Sequence, residues 1–424
     1  MRRVLALIAF GVFNTLVAQN NDISIMLESN DSTHAFTGNK PVQLITTIKN
    51  MSLDTVKKAS LTYSIQTFAG KKVKDSIFEI PLLLPRSTAT HTLTCDIKTT
   101  DFYISNVTLV SANVNTSQTY AFAKEPLSTL SPYPKPKDFK QFWVKTMSEL
   151  KKIPPDYILT KSITLSNDTM DVFSVEMRSL DSVRVQGWYV VPKGKQNLPA
   201  LVYFQGYTTN NYPTPGYFQF SKYAQFFLNI RGHGDSQKDL NPGFGAYLTH
   251  GLKNRSTYIF RGAYMDCIRS LDFICSRPEV DAKRIGIWGG SMGGALALAT
   301  AGLDRRVKLC VFDLPFLSDF RNFFNISNWP AAEMRQFATQ NNIPMTELHN
   351  TLDYFDIKNF APWVQCPAMM GVGLLDRTCP PAINFAAFNN LKVRDKYFYL
   401  FPYTGHVIPI EHNLRLFAWF DKRL

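Results

Sequence analysis

Arg284-Ile285-Gly286-Ile287-Trp288-Gly289-Gly290-Ser291-Met292-Gly293-Gly294-Ala295 decides how the rest of the chain is read. Its short apolar run reads as a buried strand. After the glycines, the small-residue segment Ala295-Leu296-Ala297-Leu298-Ala299 reads as a helix. Between them, Gly289-x-Ser291-x-Gly293 has the pattern of a serine nucleophile on a tight strand-to-helix turn. The spacing has a steric cause. So sharp a turn strains the serine backbone, and glycines two before and two after it remove side chains that would strike the adjoining strand and helix. The hydroxyl then stands at a helix start, where the dipole favours developing negative charge. The plainer alternative is a Gly/Ser turn that only ends a strand. The strand before and the helix after weigh against it.

Outward from this turn, apolar runs alternate with helical segments: Leu201–Phe204, Phe226–Ile230, Ile285–Trp288, Val307–Phe312, Met369–Val372 and Tyr397–Phe401. That alternation predicts an α/β domain with a mostly parallel sheet covered on both faces. Ahead of it, Phe139, Phe142, Trp143, Met147 and Leu150 repeat at helical spacing, an aromatic stripe expected to pack into the core. Earlier still, Val42, Leu44 and Ile48 alternate with polar neighbours, as do Leu61, Tyr63 and Ile65, then Leu93, Cys95 and Ile97, then Val107 and Leu109. Short alternating strands between turn-formers predict a small all-β sandwich of immunoglobulin-like type. The expected domains are a signal peptide at 1–18, this accessory β-domain at 19–125, a proline-rich linker at 126–137 and a catalytic domain at 138–424.

In such sheets ligands bind beyond the carboxyl ends of the strands, so partners for Ser291 are sought there. Asp376 follows Met369–Val372 closely, and Tyr397–Phe401 runs through Pro402-Tyr403-Thr404-Gly405 into His406. The order serine, acid, histidine is that of an α/β-hydrolase triad. A neutral hydroxyl is a poor nucleophile, so His406 would take its proton, and Asp376 would fix the imidazole tautomer and stabilise its cation. Asp313 also follows a strand and stands as an alternative acid. His233 could be mistaken for the base, and the isolated His250 and His412 read as structural or surface residues. Two backbone amides should face the oxyanion: that of Met292, after the nucleophile, and that of Tyr207, in the loop after Leu201–Phe204.

The remaining features bound the setting. The 424 residues suffice for two or three domains with sizeable cores, and 45% apolar with 19% charged residues is ordinary globular composition. A net charge of +13 is spread as short pairs such as Lys57-Lys58 and Lys151-Lys152, with no arginine-rich run, so nucleic acid is not an expected partner. Arg2-Arg3, the apolar Val4 to Val17 and the small Ala18 before Gln19 predict a cleavable signal peptide, hence a secreted or periplasmic protein with no membrane anchor. Six cysteines without a Cys-x-x-Cys or His/Cys cluster predict buried thiols rather than a zinc site, and no cofactor is expected.

Together these segments resemble the acetyl xylan esterase and cephalosporin C deacetylase family, the seventh family of carbohydrate esterases. The resemblance runs from about Pro132 to the end. It is carried by Phe142-Trp143, Gly206-Tyr207, Arg231-Gly232-x-Gly234 with Ser236, and Gly290-Ser291-x-Gly293-Gly294. It continues through Pro315-Phe316-Leu317-x-Asp319-Phe320, Gly373-Leu374-x-Asp376 with Cys379-Pro380-Pro381, and Gly405-His406. It implies metal-free serine hydrolysis of O-acetyl groups on xylo-oligosaccharides or small acetyl esters, and a homo-oligomer, often a ring-like hexamer. Three positions depart: His233 and Met292 stand where the family has glutamine, and Val407 where it has glutamate. The segment Ser318 to Pro362, rich in Phe and Asn and holding Trp329, is expected to cap the serine. A peptidase of the prolyl oligopeptidase type and an inactive glycan-binding hydrolase fold remain the alternatives.

Overall fold

The computed structural model describes residues 22–208 and 221–424, so the proposed signal segment lies outside the described residues. Two compact units are present. One comprises the described residues up to Asn30, Pro41–Ile97 and Ile104–Tyr120; the other comprises Asp31–Lys40, Lys98–Tyr103 and Ala121–Leu424. Among the described residues, no helix is long and apolar enough to cross a membrane.

The amino-terminal strands are β1 (Ile23–Ser29), β2 (Ala35–Phe36), β3 (Val42–Asn50), β4 (Val56–Thr67), β5 (Lys72–Leu83), β6 (Ser87–Cys95), β7 (Asp101–Val110) and β8 (Asn115–Lys124). They make a three-stranded sheet β1-β3-β6 and a five-stranded sheet β2-β8-β7-β4-β5. Alternation is what buries them: Val42, Leu44 and Ile48 on β3, and Leu61, Tyr63 and Ile65 on β4, are all sealed from solvent. The Thr46 and Tyr63 hydroxyls join the two sheets at 2.6 Å. Strand β5 escaped the sequence reading, and β6 stops before Ile97. The half-buried face of β5 mixes Lys74 and Ser76 with Phe78 and Ile80, and Ile77 is exposed, so no apolar period marks it. Backbone pairing with β4 holds it at the sheet edge, where its Pro81 is tolerated.

The second unit carries α1 (Phe139–Lys151) and then strands β9 (Ile158–Lys161), β10 (Met170–Arg178), β11 (Arg184–Pro192), β12 (Leu198–Phe204) and β13 (Ala224–Asn229). There follow α2 (Ile259–Cys275), β14 (Val280–Gly290), α3 (Met292–Leu303), β15 (Val307–Asp313), α4 (Phe320–Ile326), α5 (Ala331–Gln340) and α6 (Met345–Leu352). The chain closes with β16 (Ala368–Gly373), α7 (Pro381–Asn390), β17 (Lys396–Phe401) and α8 (Ile410–Arg423). These strands form one nine-stranded sheet in the order β17-β16-β15-β14-β12-β13-β11-β10-β9. From β13 to β17 neighbouring strands run parallel, while β9, β10 and β11 add an antiparallel edge.

The central parallel strands, such as β13 and β16, are buried on both faces, which is why they read as continuous apolar runs, while β17 at the edge is mostly half-buried. On one face Leu201, Trp288, Leu309, Val311 and Met369 pack with Leu416 and Phe420 of α8. On α3 every residue from Met292 to Ala301 is buried, so this helix is apolar all round rather than amphipathic. The α1 stripe is core: Trp143 is buried, its Nε1 donates to the Tyr354 carbonyl at 3.0 Å, and its ring meets Tyr264 and Phe360. Asn389 donates to the carbonyls of Pro126 (2.9 Å) and Thr129 (2.7 Å), tying the start of the proline-rich stretch to α7. All six cysteines are free thiols.

Candidate active site

Ser291 stands between the last residue of β14 and the first of α3, with φ 59° and ψ −124°, a region L-residues rarely occupy. The neighbouring glycines make this conformation accessible. A Cβ on Gly293 would lie 2.0 Å from the Phe204 carbonyl oxygen, and one on Gly289 would lie 2.5 Å from the Gly293 oxygen. Backbone bonds clamp the turn. The Ser291 amide donates to the Asp313 carbonyl at 2.9 Å, and the Ser291 carbonyl accepts from Phe316 at 3.0 Å and Ala295 at 3.1 Å.

Ser291 Oγ lies 2.9 Å from His406 Nε2, and His406 Nδ1 lies 2.7 Å from Asp376 Oδ2. Asp376 comes from the loop after β16 and His406 from the loop after β17, so two adjacent strand ends deliver them to the serine. The Asp376 side chain is fully buried, and its Oδ1 accepts the amides of Thr378 and Cys379, each at 2.8 Å. Those two bonds satisfy the oxygen that does not face the imidazole. The His406 side chain keeps 29% of its surface, so one edge of the site is open to a reactant.

Asp313, the alternative acid, faces elsewhere. Its Oδ1 accepts the Gly371 amide at 2.6 Å and lies 2.9 Å from Nε2 of the buried His412. His233 is also sealed, with its ring edge-on to Tyr247 at 4.4 Å, and burial lowers its pKa to about 4, leaving it neutral. His250 is exposed. Met292 opens α3, so its amide is among those the first helical turn leaves without an intrahelical acceptor. A Cβ on Gly206 would come within 3.8 Å of Ser291 Cβ, which sets the following residue, Tyr207, beside the serine. Burial pushes the Tyr207 phenol up to about 12.

Among the described residues, one trio of metal-ligating types comes together: atoms of Asp376, Cys379 and His406 lie within 4.8 Å of one another. Two of these groups are already engaged with each other, and burial raises the Cys379 thiol well above its ordinary pKa. Sequence reasoning did not anticipate the Asp313–His412 pair. It also gave Trp329 no role beyond a cap. The structure sets Trp329 near-parallel to the Tyr207 ring, with centroids 6.1 Å apart.

The family model for acetyl xylan esterase (AXE1) matches residues 121–423. Acetyl esterase Axe7A of Xylanibacter ruminicola is 30% identical over 307 residues, which cover 70% of this chain and 69% of that protein. The acetyl xylan esterase from Paenibacillus sp. R4 superposes with a TM-score of 0.66 at 31% identity, over 71% of this chain and 99% of its own. Acetyl xylan esterase 1 from Thermoanaerobacterium sp. JW/SL YS485 gives 0.64 at 25% identity, over 70% of this chain and 96% of its own.

Proposed function

This chain belongs to the acetyl xylan esterase family and is a carboxylic ester hydrolase with an α/β-hydrolase fold, and from that premise we propose that Ser291, His406 and Asp376 are its catalytic triad. The substrate in this reading is an O-acetyl ester on a xylo-oligosaccharide or a related acetylated sugar. The observation that carries it is the unbroken chain of contacts from Ser291 Oγ through the imidazole to Asp376, 2.9 Å and then 2.7 Å.

Each step follows from that chain. His406 Nε2 accepts the Ser291 proton as Oγ attacks the acetyl carbonyl carbon. The tetrahedral oxyanion is met by the amides of Met292 and Tyr207, each of which is worth about a hundredfold or more in rate. Collapse breaks the ester bond, His406 returns its proton to the departing sugar hydroxyl, and the acetyl group stays on Ser291. Water then gives a proton to His406 and attacks the acyl-enzyme, and acetate leaves as Ser291 regains its proton. Asp376 keeps Nδ1 protonated throughout, so Nε2 is always the nitrogen that trades protons with the reactants.

The same reading assigns 1–18 to a cleaved signal peptide of a secreted or periplasmic protein, and 19–125 to an immunoglobulin-like accessory domain. The two β-sheets joined by Thr46 and Tyr63 support the second assignment. The test is acetate release from acetylated xylan and turnover of 4-nitrophenyl acetate, beside a proline-containing peptide substrate. Acetate release lost in Ser291→Ala is the expected result. Peptide cleavage without deacetylation would replace the reading with a peptidase.

A further inference from the structure

Beside the serine lies a row of aromatic rings. Tyr207 is near-parallel to Phe244, at 4.6 Å between centroids and 17° between planes, and to Trp329, at 6.1 Å and 21°. The rings flanking Tyr207 are the exposed ones: Phe244 keeps 57% and Trp329 43% of their surface. Large aromatic surface left in water beside a reactive site marks a place where something binds.

The ring orientations are fixed by polar contacts at their edges. The Tyr207 hydroxyl accepts the Gly245 amide at 2.9 Å, and Trp329 Nε1 donates to Glu333 Oε1 at 2.8 Å. Tyr207 is flanked on its faces by the two neighbours, so what the row offers a visitor is the exposed outer surface of Phe244 and Trp329. The row is also tied to the groups around Ser291. Tyr207 belongs to the loop beside the serine. The Ser327 hydroxyl sits 3.0 Å from the Trp329 carbonyl and 3.2 Å from the carbonyl of Arg377, the residue after Asp376.

We propose that Phe244, Tyr207 and Trp329 form a sugar-binding subsite that receives the pyranose rings next to the acetylated one. The subsite rests on the esterase reading of Ser291. Electron-rich ring faces attract the partly positive C–H groups on the apolar face of a pyranose, whose hydroxyls stay in water at its rim. An open shelf suits that ligand better than an acyl chain, which gains most where a closed wall excludes water. The subsite therefore makes the enzyme prefer esters on chains of sugars over esters on single ones.

The test compares O-acetylated xylotetraose with an acetylated methyl xyloside, using the full chain and its Trp329→Ala, Phe244→Ala and Trp329→Phe variants. Each alanine variant is expected to raise KM for the tetraose roughly tenfold relative to the monosaccharide, with the larger change in KM rather than kcat. Trp329→Phe, which keeps a flat ring, should recover most of it. Equal losses on both substrates, or a loss confined to longer-acyl 4-nitrophenyl esters, would overturn the subsite. A second arm titrates unacetylated xylotetraose into Ser291→Ala by calorimetry, with and without Trp329→Ala. Heat that disappears with the indole supports the subsite, and no binding with the shelf intact refutes it. Because this arm needs no turnover, it separates failure of the subsite from failure of the esterase reading, which shows as no acetate from any ester.

Discussion

Two Asp–His pairs sit at the carboxyl end of the same sheet, and they differ in what the far nitrogen of each imidazole meets. His406 holds Asp376 at 2.7 Å with Nδ1, reaches Ser291 Oγ with Nε2, and is partly open to solvent. His412 holds Asp313 at 2.9 Å with Nε2, is fully buried against Tyr399 and Phe401, and its Nδ1 has no hydrogen-bond partner among the described residues. The residue types match, but the placement does not: Asp376 and His406 follow the adjacent strands β16 and β17, whereas Asp313 ends β15 and His412 lies in α8. A carboxylate alone does not make an imidazole a base for catalysis. It needs a hydroxyl on its other nitrogen and an open edge for the substrate. The sealed pair instead braces β15, β16 and α8, and the carbonyl of the same Asp313 holds the amide of Ser291.

The widest separation between the pairs should come from the hydroxyl itself. Ser291→Ala is expected to lower 4-nitrophenyl acetate hydrolysis by roughly 10⁵-fold or more while leaving the unfolding midpoint in place. Asp376→Asn should lower kcat about ten-thousandfold by disturbing the tautomer, and the same change at Asp313 should leave most of kcat. If the two asparagine variants rank the other way, the acid role passes to Asp313 and the contrast is broken. Gly373→Ala probes the loop that delivers His406, since its Cβ would lie 2.0 Å from the Gly405 carbonyl oxygen. A shift of His406 of about 1 Å predicts a loss near a hundredfold in kcat, read by steady-state kinetics.

Smaller effects belong to stability. Asp313→Asn should cost about 2–3 kcal/mol by disturbing a buried hydrogen-bonded pair, seen as a lower midpoint in thermal or denaturant unfolding. His233 adds a third case, an imidazole buried without a carboxylate partner. Its pKa falls to about 4 when folded against 6.5 in the free side chain, so the unfolded chain binds the extra proton between those values. Stability from this group is therefore complete above about pH 6.5 and is lost as pH falls toward 4. His233→Gln should remove that acid sensitivity, about 1–2 kcal/mol near pH 5, measured as the difference in midpoint between the two proteins across that range.

The serine turn was legible because its constraints are local. Glycine at 289 and 293 is required by atoms that any strand-to-helix turn of this kind brings close, and the flanking strand and helix announce themselves within a dozen residues. The central parallel strands were legible for a related reason, since burial on both faces leaves continuous apolar runs. Strand β5 was not, because pairing at a sheet edge demands no apolar period. The chain order serine, acid, histidine favoured Asp376 over Asp313, while what Asp313 faces instead was not legible, since His412 lies 99 residues further along the chain.

By itself, then, the sequence determined the glycine-flanked turn at Ser291 and the alternation that builds the sheet, both set by sterics and periodicity over short spans, and its order of serine, acid and histidine pointed to Asp376 and His406. Tertiary structure alone decided that Asp313 meets His412, and that rings from positions 207, 244 and 329 share one row. Those outcomes depend on the paths of loops far apart in sequence, whose directions are fixed by packing across the whole sheet rather than by any residue's neighbours in the chain.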